Sequence, residues 1–384
     1  MAGAGTALSQ DTLTAATNPA GLAVVGNRVD GGLALFSPRR SITIEGGDPA
    51  QNAQGGPFFL TPSSRDSRQN YFVIPEFGVN WQWRDDQTLG IVVFANGGMN
   101  TDYSAENGGV FFDGKAGVNL EQIFVAPTWT WTPVDNHSFG VSPLVVHQRF
   151  RATGLTTFSD FSSDPAALTN NGTDTSWGYG IQFGWQGQLH NDWRAGLSYR
   201  SRIRMDEFDR YKGLFAEQGG FDIPSMLNAG LAWSGIDRHW LLFDIQHIRY
   251  SEIKSIGNPL MPNIQTAQLG NNAGAGFGWQ DMTIFKLGWQ WQATSDWAWR
   301  AGLSYGEQPI PDSEVLFNIL APGVQEWHIT TGFSHQLNDA LMLSANAFYS
   351  PEKEVQGENP LGPGQDITLR MEQFGVAAGV SWTF

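Results

Sequence analysis

Apolar residues in this 384-residue chain recur with a period of two over segments of about ten residues, the pattern of strands with one greasy face. From Asp281 to Ala293, Thr283, Phe285, Leu287, Trp289 and Trp291 share one face, while Met282, Ile284, Lys286, Gly288, Gln290 and Gln292 share the other. After a turn at Ser295-Asp296, Trp297, Trp299, Ala301, Leu303 and Tyr305 face one way and Arg300, Gly302 and Ser304 the other. Asp192 to Arg204 repeats the design, with Trp193, Ala195, Leu197 and Tyr199 on one side. The aromatic residues gather near segment ends. The opposite faces mix Gly, Ser, Gln and Arg. A lipid-facing band with interfacial girdles around a wet or plugged interior accounts for both features.

Fourteen such segments are predicted, starting near Val29, Tyr71, Thr88, Asn119, His137, Thr175, Trp193, Ile223, His239, Trp279, Trp297, Val324, Ala340 and Asp366. Short connections fall at Arg84–Gln87, Thr132–Asn136, Leu189–Asp192, Gly235–Arg238, Thr294–Asp296 and Leu337–Asp339. Between them lie long ones at Gly46–Arg68, Thr101–Val118, Arg151–Asp174, Asp209–Asp222, Lys254–Gly278, Gly306–Gly323 and Ser350–Gln365. Short turns on one side and long loops on the other mark a bacterial outer-membrane barrel, and closure removes edges that lipid cannot hydrate. The last strand places Phe374, Val376, Ala378, Val380, Trp382 and the terminal Phe384 on one face. An even strand number puts both termini on the short-turn, periplasmic side of a Gram-negative outer membrane.

Composition agrees. The chain has 16 Trp and 46 Gly, and no Cys for a disulfide scaffold or a thiolate metal site. Its net charge of −15 argues against a nucleic-acid partner. No run of about 18 apolar residues offers a transmembrane helix. Met1-Ala2-Gly3-Ala4-Gly5 lacks the basic and apolar regions of an export signal, as a mature form or a cytosolic protein would.

Residues Ala2 to Gly26 do not alternate. Ser9 or Asp11 can cap a short helix through Ala16, and Asn18 a second with Pro19 at its first position. A lumen of about fourteen strands is too wide for side chains alone to fill, so this piece is expected inside as a plug. The division is residues 1–28 as an N-terminal hatch and 29–384 as the barrel. The fold class is all-β, a transmembrane antiparallel barrel.

Ala4-Gly5-Thr6-Ala7, Asp11 and Asn18-Pro19-Ala20-Gly21-Leu22 resemble the N-terminal hatch of the FadL/TodX family of outer-membrane transporters. Pro224 with Gly230-Leu231-Ala232-Trp233, Trp279-Gln280-Asp281, Arg300-Ala301-Gly302 and Gln308-Pro309-Ile310-Pro311-Asp312 are similar to that family's later strands and loops. The resemblance implies uptake of long-chain fatty acids or hydrocarbons. It also implies that Asn18, Pro19, Ala20 and Gly21 fix the hatch beneath a pocket. The third long connection, Arg151–Asp174, is shorter than the resemblance would lead one to expect.

Gly97 and Gly98 interrupt the third strand after Asn96, as at a bulge or bend. A strand that simply ends there is the plainer reading. The resemblance implies instead a kink and a gap through which substrate leaves sideways into the membrane. Pocket lining is expected from apolar loop residues, Leu155, Phe158, Phe161 and Leu168 in the third loop and Leu214, Phe215, Phe221 and Met226 in or near the fourth. Self-packing of the loops would place them equally well. Arg194, Arg200, Arg202 and Arg204 form an inward stripe, in which Arg200 and Arg202 could meet a substrate carboxylate or pair with inward acids.

The seven His show no metal-ligand spacing and no nucleophilic triad is legible, so no catalysis, cofactor or metal is expected. The expected partners are a hydrophobic small molecule and the surrounding lipid and lipopolysaccharide, with the chain acting as a monomer. The alternatives are a diffusion porin for small polar solutes, a barrel-anchored lipid-modifying enzyme, or an adhesin. A general porin has no need of an N-terminal plug, and an adhesin would carry much longer loops.

Overall fold

The structure, a computed structural model, describes residues 1–52 and 56–384; residues 53–55 belong to the first long connection. Fourteen long strands make the wall: β1 (Arg28–Glu45), β2 (Phe72–Arg84), β3 (Gln87–Asn100), β4 (Gly117–Val134), β5 (His137–Thr153), β6 (Asp174–His190) and β7 (Trp193–Arg200), then β8 (Met226–Ile236), β9 (His239–Ile248), β10 (Met282–Gln292), β11 (Trp297–Gly306), β12 (Trp327–Gln336), β13 (Leu341–Glu358) and β14 (Asp366–Thr383). Each pairs antiparallel with its neighbour in chain order. β14 returns to pair with β1 from Arg28 opposite Thr383 to Glu45 opposite Asp366, which closes the barrel. Short strands Ser63–Asp66 and Arg204–Met205 extend the wall beside β1 and β6. The largest offsets from the sequence-predicted starts are at Ile223, Trp279 and Val324, where the strands begin at Met226, Met282 and Trp327.

The alternation becomes an outside and an inside. On β10, Phe285, Leu287 and Trp291 are exposed on the outer face. A first aromatic girdle follows the short turns, with Trp129, Trp131, Phe139, Trp193, Trp299 and Trp382 exposed near strand ends. Trp297 stacks on His335 there, ring centroids 4.1 Å apart. A second girdle follows the long-loop ends, with Tyr71, Trp177, Tyr179, Tyr305, Trp327 and Tyr349. Two such belts are what a band of hydrocarbon between two wet interfaces selects.

The largest apolar cluster sits under the long loops, not in the barrel's midsection. Tyr103, Phe111, Leu155, Phe158, Leu168, Tyr211, Ile264, Leu316 and Ile319 pack there with Ile42, Ile44 and Phe150 of the wall. The loops therefore fold over the mouth as a cap. Within it, Glu314 accepts the Leu260 amide at 2.8 Å, and burial pushes its carboxyl above the usual range.

Residues 1–27 run inside the barrel. A helical turn spans Thr14–Thr17 and a 3-10 turn spans Pro19–Val24. The first is not capped by a side chain, contrary to expectation; Asp11 instead accepts the Leu13 amide. The Asn18 side chain does cap the second by accepting the Ala20 amide at 3.1 Å. Its amide group donates to Thr6 O and to Trp185 O of β6. Asp244 of β9 accepts the Gly5 and Thr6 amides and the Thr6 hydroxyl, at 2.7 to 2.9 Å. Ser138 donates to Ala20 O, Asn80 to Leu22 O, and Asp30 accepts the Thr12 amide. The chain comes this close because inward glycines leave room. A Cβ on Gly184 would lie 2.0 Å from Asn18 Oδ1, and one on Gly140 2.4 Å from Ala20 N.

Two outcomes test this arrangement. A cysteine at exposed Asn272, in a long loop, should be labelled from outside in intact cells, and one at exposed Asp296, in a short turn, should not; the opposite pattern would invert the topology. Gly184→Leu should push Asn18 and Pro19 off the wall. Single-channel conductance in planar bilayers should then rise while heat-modifiable migration persists; unchanged conductance would mean that this packing does not close the lumen.

Candidate functional site

Three features of the interior could handle a ligand. The first is an apolar pocket within the loop cap, about 40 Å³ in volume. Phe111, Phe150, Leu155, Phe158, Leu168, Leu214, Phe215, Phe277 and Phe317 contribute to its lining. Ser255 is the only polar side chain there, and its hydroxyl donates to Gly220 O. Edge-to-face aromatic pairs set the shape: Phe111 with Phe158 at 5.4 Å and Phe158 with Phe317 at 5.5 Å. Such a lining offers dispersion contacts and no partner for a charge.

Of the residues expected here from sequence, Leu155, Phe158, Leu168, Leu214 and Phe215 line the pocket. Phe161 packs against the same cluster without reaching the cavity, and Phe221 stands behind Phe215 at 4.7 Å. Met226 lies elsewhere, as the first residue of β8, where Gln246 donates to its sulfur. It stands where the fourth connection joins its strand, on the wall and outside the pocket lining. Phe111, Val118, Leu269, Phe277, Phe317 and Leu320 were not foreseen. They come from the second, fifth and sixth long connections and from the start of β4. Apolar residues in loops were the available signal, and it was read in only two of them.

The second feature is a parting of the wall. β2 and β3 pair from the turn only as far as Phe77 opposite Val93. Beyond that point β2 continues against β1, up to Phe72 opposite Phe36, and β3 continues against β4 alone. On β3 the register slips between Ala95, opposite Ile123, and Gly98, opposite Glu121. Asn96 and Gly97 thus share one position on β4, a bulge, and Gly97 takes the left-handed conformation at φ +75°. The strand does not end at the glycines; it runs on to Asn100. Asn100 then bridges back to Gln69 at 3.3 Å, so the parting is bounded above and below. Pro75, which cannot donate a ladder hydrogen bond, lies in the parted stretch of β2.

Just inside the parting lies a second apolar cluster. Val92 and Phe94 of β3, Phe124 and Ala126 of β4, and Ile203, Met205 and Ile223 meet Ala15 and Leu22 of the N-terminal segment. Phe221 belongs to the upper cluster and Ile223 to this one, so the two lie close along the chain. The Arg stripe resolves here. β7 ends at Arg200, so the expected alternation stops; Arg204 is exposed, and Arg202 pairs with Asp222 at 2.7 Å and with Glu217 at 3.7 Å. Arg200 is buried and donates to Asn96 of the bulge at 3.0 Å.

The third feature is a polar cavity of about 650 Å³ between the N-terminal segment and strands β9 to β14. Lys286, Arg300 and His328 line it, with Asp11, Glu76 and Glu326. Arg300 is held by Gln290, Ser334 and Gln10.

A sequence model described as outer membrane protein transport protein (OMPP1/FadL/TodX) matches residues 1–384. The long-chain fatty acid transport protein of Escherichia coli O6:H1 is 24% identical over 227 residues, which is 50% of this chain and 48% of that protein. The chain thus matches about half the length of that curated relative. Among solved structures, the Pseudomonas putida toluene transporter TodX shares the fold at a TM-score of 0.70, with 16% identity over 100% of this chain and 97% of that one. A Pseudomonas aeruginosa FadL homologue does so at 0.72, with 16% identity over 99% and 96%. The chain is therefore a member of the OMPP1/FadL/TodX family of outer-membrane transport proteins.

Proposed function

We propose that this protein is a passive outer-membrane channel for small, neutral hydrophobic molecules, which enter the loop pocket and leave sideways through the parting of β2 and β3. In this reading the long loops face outside and both termini face the periplasm. Residues 1–28 act as the hatch, and a shift of that hatch joins pocket to wall. The protein works as a monomer in outer-membrane lipid and lipopolysaccharide, without catalysis or cofactor. The observation that carries the reading is the apolar cluster against the one stretch where β2 and β3 part.

The physical case is desolvation. Each buried CH₂ gains about 0.8 kcal/mol on leaving water. A substrate released into the periplasm would forfeit that gain, whereas one that passes through the wall stays in apolar surroundings. Transport then needs only a concentration gradient and a site weak enough to release its ligand.

The lining of the pocket narrows the substrate class. A carboxylate seated beside Ser255 would give up its hydration with no cation to receive it. The volume of about 40 Å³ is small beside the roughly 150 Å³ that holds a benzene ring. A monocyclic arene therefore requires modest movement of the Phe side chains, and a long acyl chain far more. The reading of a porin for polar solutes draws on the cavity beside β9 to β14, which runs from Glu326 near the long loops to Ser344 near the short turns. That of a lipid-modifying enzyme has no matching constellation of groups in the features described above.

Phe158→Ala should weaken binding of toluene to purified protein about tenfold or more, as loss of a buried aromatic contact implies, and leave binding of a C16 fatty acid no stronger than that of toluene. Preferential binding of the fatty acid would assign the pocket to acyl chains. Gly97→Val with Gly98→Val should restore a regular β3, because Val resists positive φ and a Cβ at Gly98 would lie 2.7 Å from Leu120 O. Toluene uptake should then fall sharply with surface expression intact. Uptake at the wild-type rate would redirect the exit to the periplasmic mouth.

A further inference from the structure

The two edges exposed by the parting of β2 and β3 carry backbone groups that would gain by pairing with each other. Continuing the register from Phe77 opposite Val93 would set Glu76 opposite Phe94 and zip the gap shut. Something must hold β3 back. Gly97 permits the bulge, but a glycine at positive φ exerts no pull.

The Asn96 side chain points to the lumen, and among the described residues its hydrogen-bond partner is Arg200 of β7, at 3.0 Å. Arg200 lies over the Phe124 ring, 5.5 Å from its centroid. Phe124 in turn stacks on Phe94 of β3 at 5.2 Å. The guanidinium is otherwise poorly satisfied. Among the described residues its Nε has no partner, its second contact is Pro224 O at 3.5 Å, and the acids Asp222 and Glu217 pair with Arg202. A buried guanidinium without a carboxylate is costly. A simple packing role would be served by Leu or Met. The donor matters only where it finds an acceptor, and that acceptor is on the bulge.

We infer that Arg200 is a positioning residue for lateral exit: its bond to Asn96 and its seat on Phe124 tether the bulge of β3 toward the lumen and keep the β2–β3 edges apart. The inference rests on the lateral route proposed above and adds to it the group that keeps the route open. It differs from a substrate contact, since Arg200 acts through Asn96.

Maximal toluene uptake and its half-saturation should be measured for Arg200→Met, Asn96→Ala, Asn96→Asp and the double variant Arg200→Met/Asn96→Ala. The first two should each lower maximal uptake about tenfold or more, the scale set by loss of a hydrogen bond to a charged group. Half-saturation should not change, because the pocket is untouched. The double variant should be no worse than either single one, and Asn96→Asp, which keeps an acceptor, should transport. Glu76→Cys with Phe94→Cys, in this otherwise Cys-free chain, should form little disulfide alone and several-fold more when Asn96→Ala is added. If Arg200→Met fails to reach the membrane, Asn96→Ala and the cross-link decide. Wild-type uptake in Asn96→Ala, additive losses in the double variant, or an unchanged cross-link would each overturn the tether. Loss of uptake in the Gly97→Val/Gly98→Val protein alongside such a result would leave the lateral route standing and remove only Arg200 from it. Wild-type uptake in that glycine variant would remove the route itself.

Discussion

Hydrocarbon offers no hydrogen bonds, so each backbone N–H and C=O facing it must find a partner in the protein. The register of β14 along all of β1 answers that demand and closes the wall. Much else follows from it. Closure in fourteen strands creates a lumen wider than side chains can span, which makes internal filling necessary. It also fixes one face of every strand to lipid and leaves polarity for the inside. Against this background the parting of β2 and β3 above Val93 stands out, because it relaxes the rule on which the wall depends. An irregularity with that cost is retained where it serves a purpose.

The N-terminal segment is held by a mixture of shape and charge. Inward glycines on β2, β5, β6 and β7 make a trough: a Cβ on Gly78 would lie 2.1 Å from Thr12 Oγ1, and one on Gly196 2.0 Å from Thr6 O. Asp244 accepts three hydrogen bonds from Gly5 and Thr6, two from backbone amides and one from the Thr6 hydroxyl. Hydrogen bonds to a carboxylate contribute more than neutral ones, about 1.5–3 kcal/mol each. The segment is hydrogen-bonded to the wall along its length, from Ala2 on Thr330 through Ser9 on Gln186 and Thr17 on Gln182 to Leu22 on Asn80, and its apolar contacts are Ala15, Leu22 and the small cluster around Ala7 and Leu8. A shift of this segment, as proposed above, would exchange polar contacts more than it would open an apolar core.

Much of this was legible in the sequence, and the reason is periodicity. A repeat of two survives any uncertainty about which strand pairs with which, so strand starts fell close to their positions even at Ile223 and Val324. The Asn18-Pro19 turn was legible because capping is local chemistry. What lay beyond reach depended on contacts between distant segments. Nothing local in Arg200-Ser201-Arg202 says that one guanidinium finds Asp222 and the other Asn96. Phe277 and Phe317 join Phe158 across loops far apart in sequence, so periodicity carries no information about the cavity they enclose. Met226 sits at the junction of loop and strand, where sequence position alone does not say which cavity a side chain reaches.

On the proposed route the pocket and the wall parting together favour neutral molecules. The cap is lined by Phe and Leu, so affinity there comes from apolar contact and shape. On the proposed lateral route a molecule passes close to Arg200, whose Nε has no hydrogen-bond partner and whose guanidinium has no paired acid among the described residues. A carboxylate arriving there would find a bidentate partner in a poorly hydrated setting and be retained, which slows a channel that must release what it captures. An ammonium would be repelled. A neutral arene meets neither penalty: it loses nothing at Ser255, gains dispersion against Phe124 and Phe94, and continues into lipid. If substrate leaves by the proposed route, selectivity comes less from what the pocket holds than from which molecules the wall lets go.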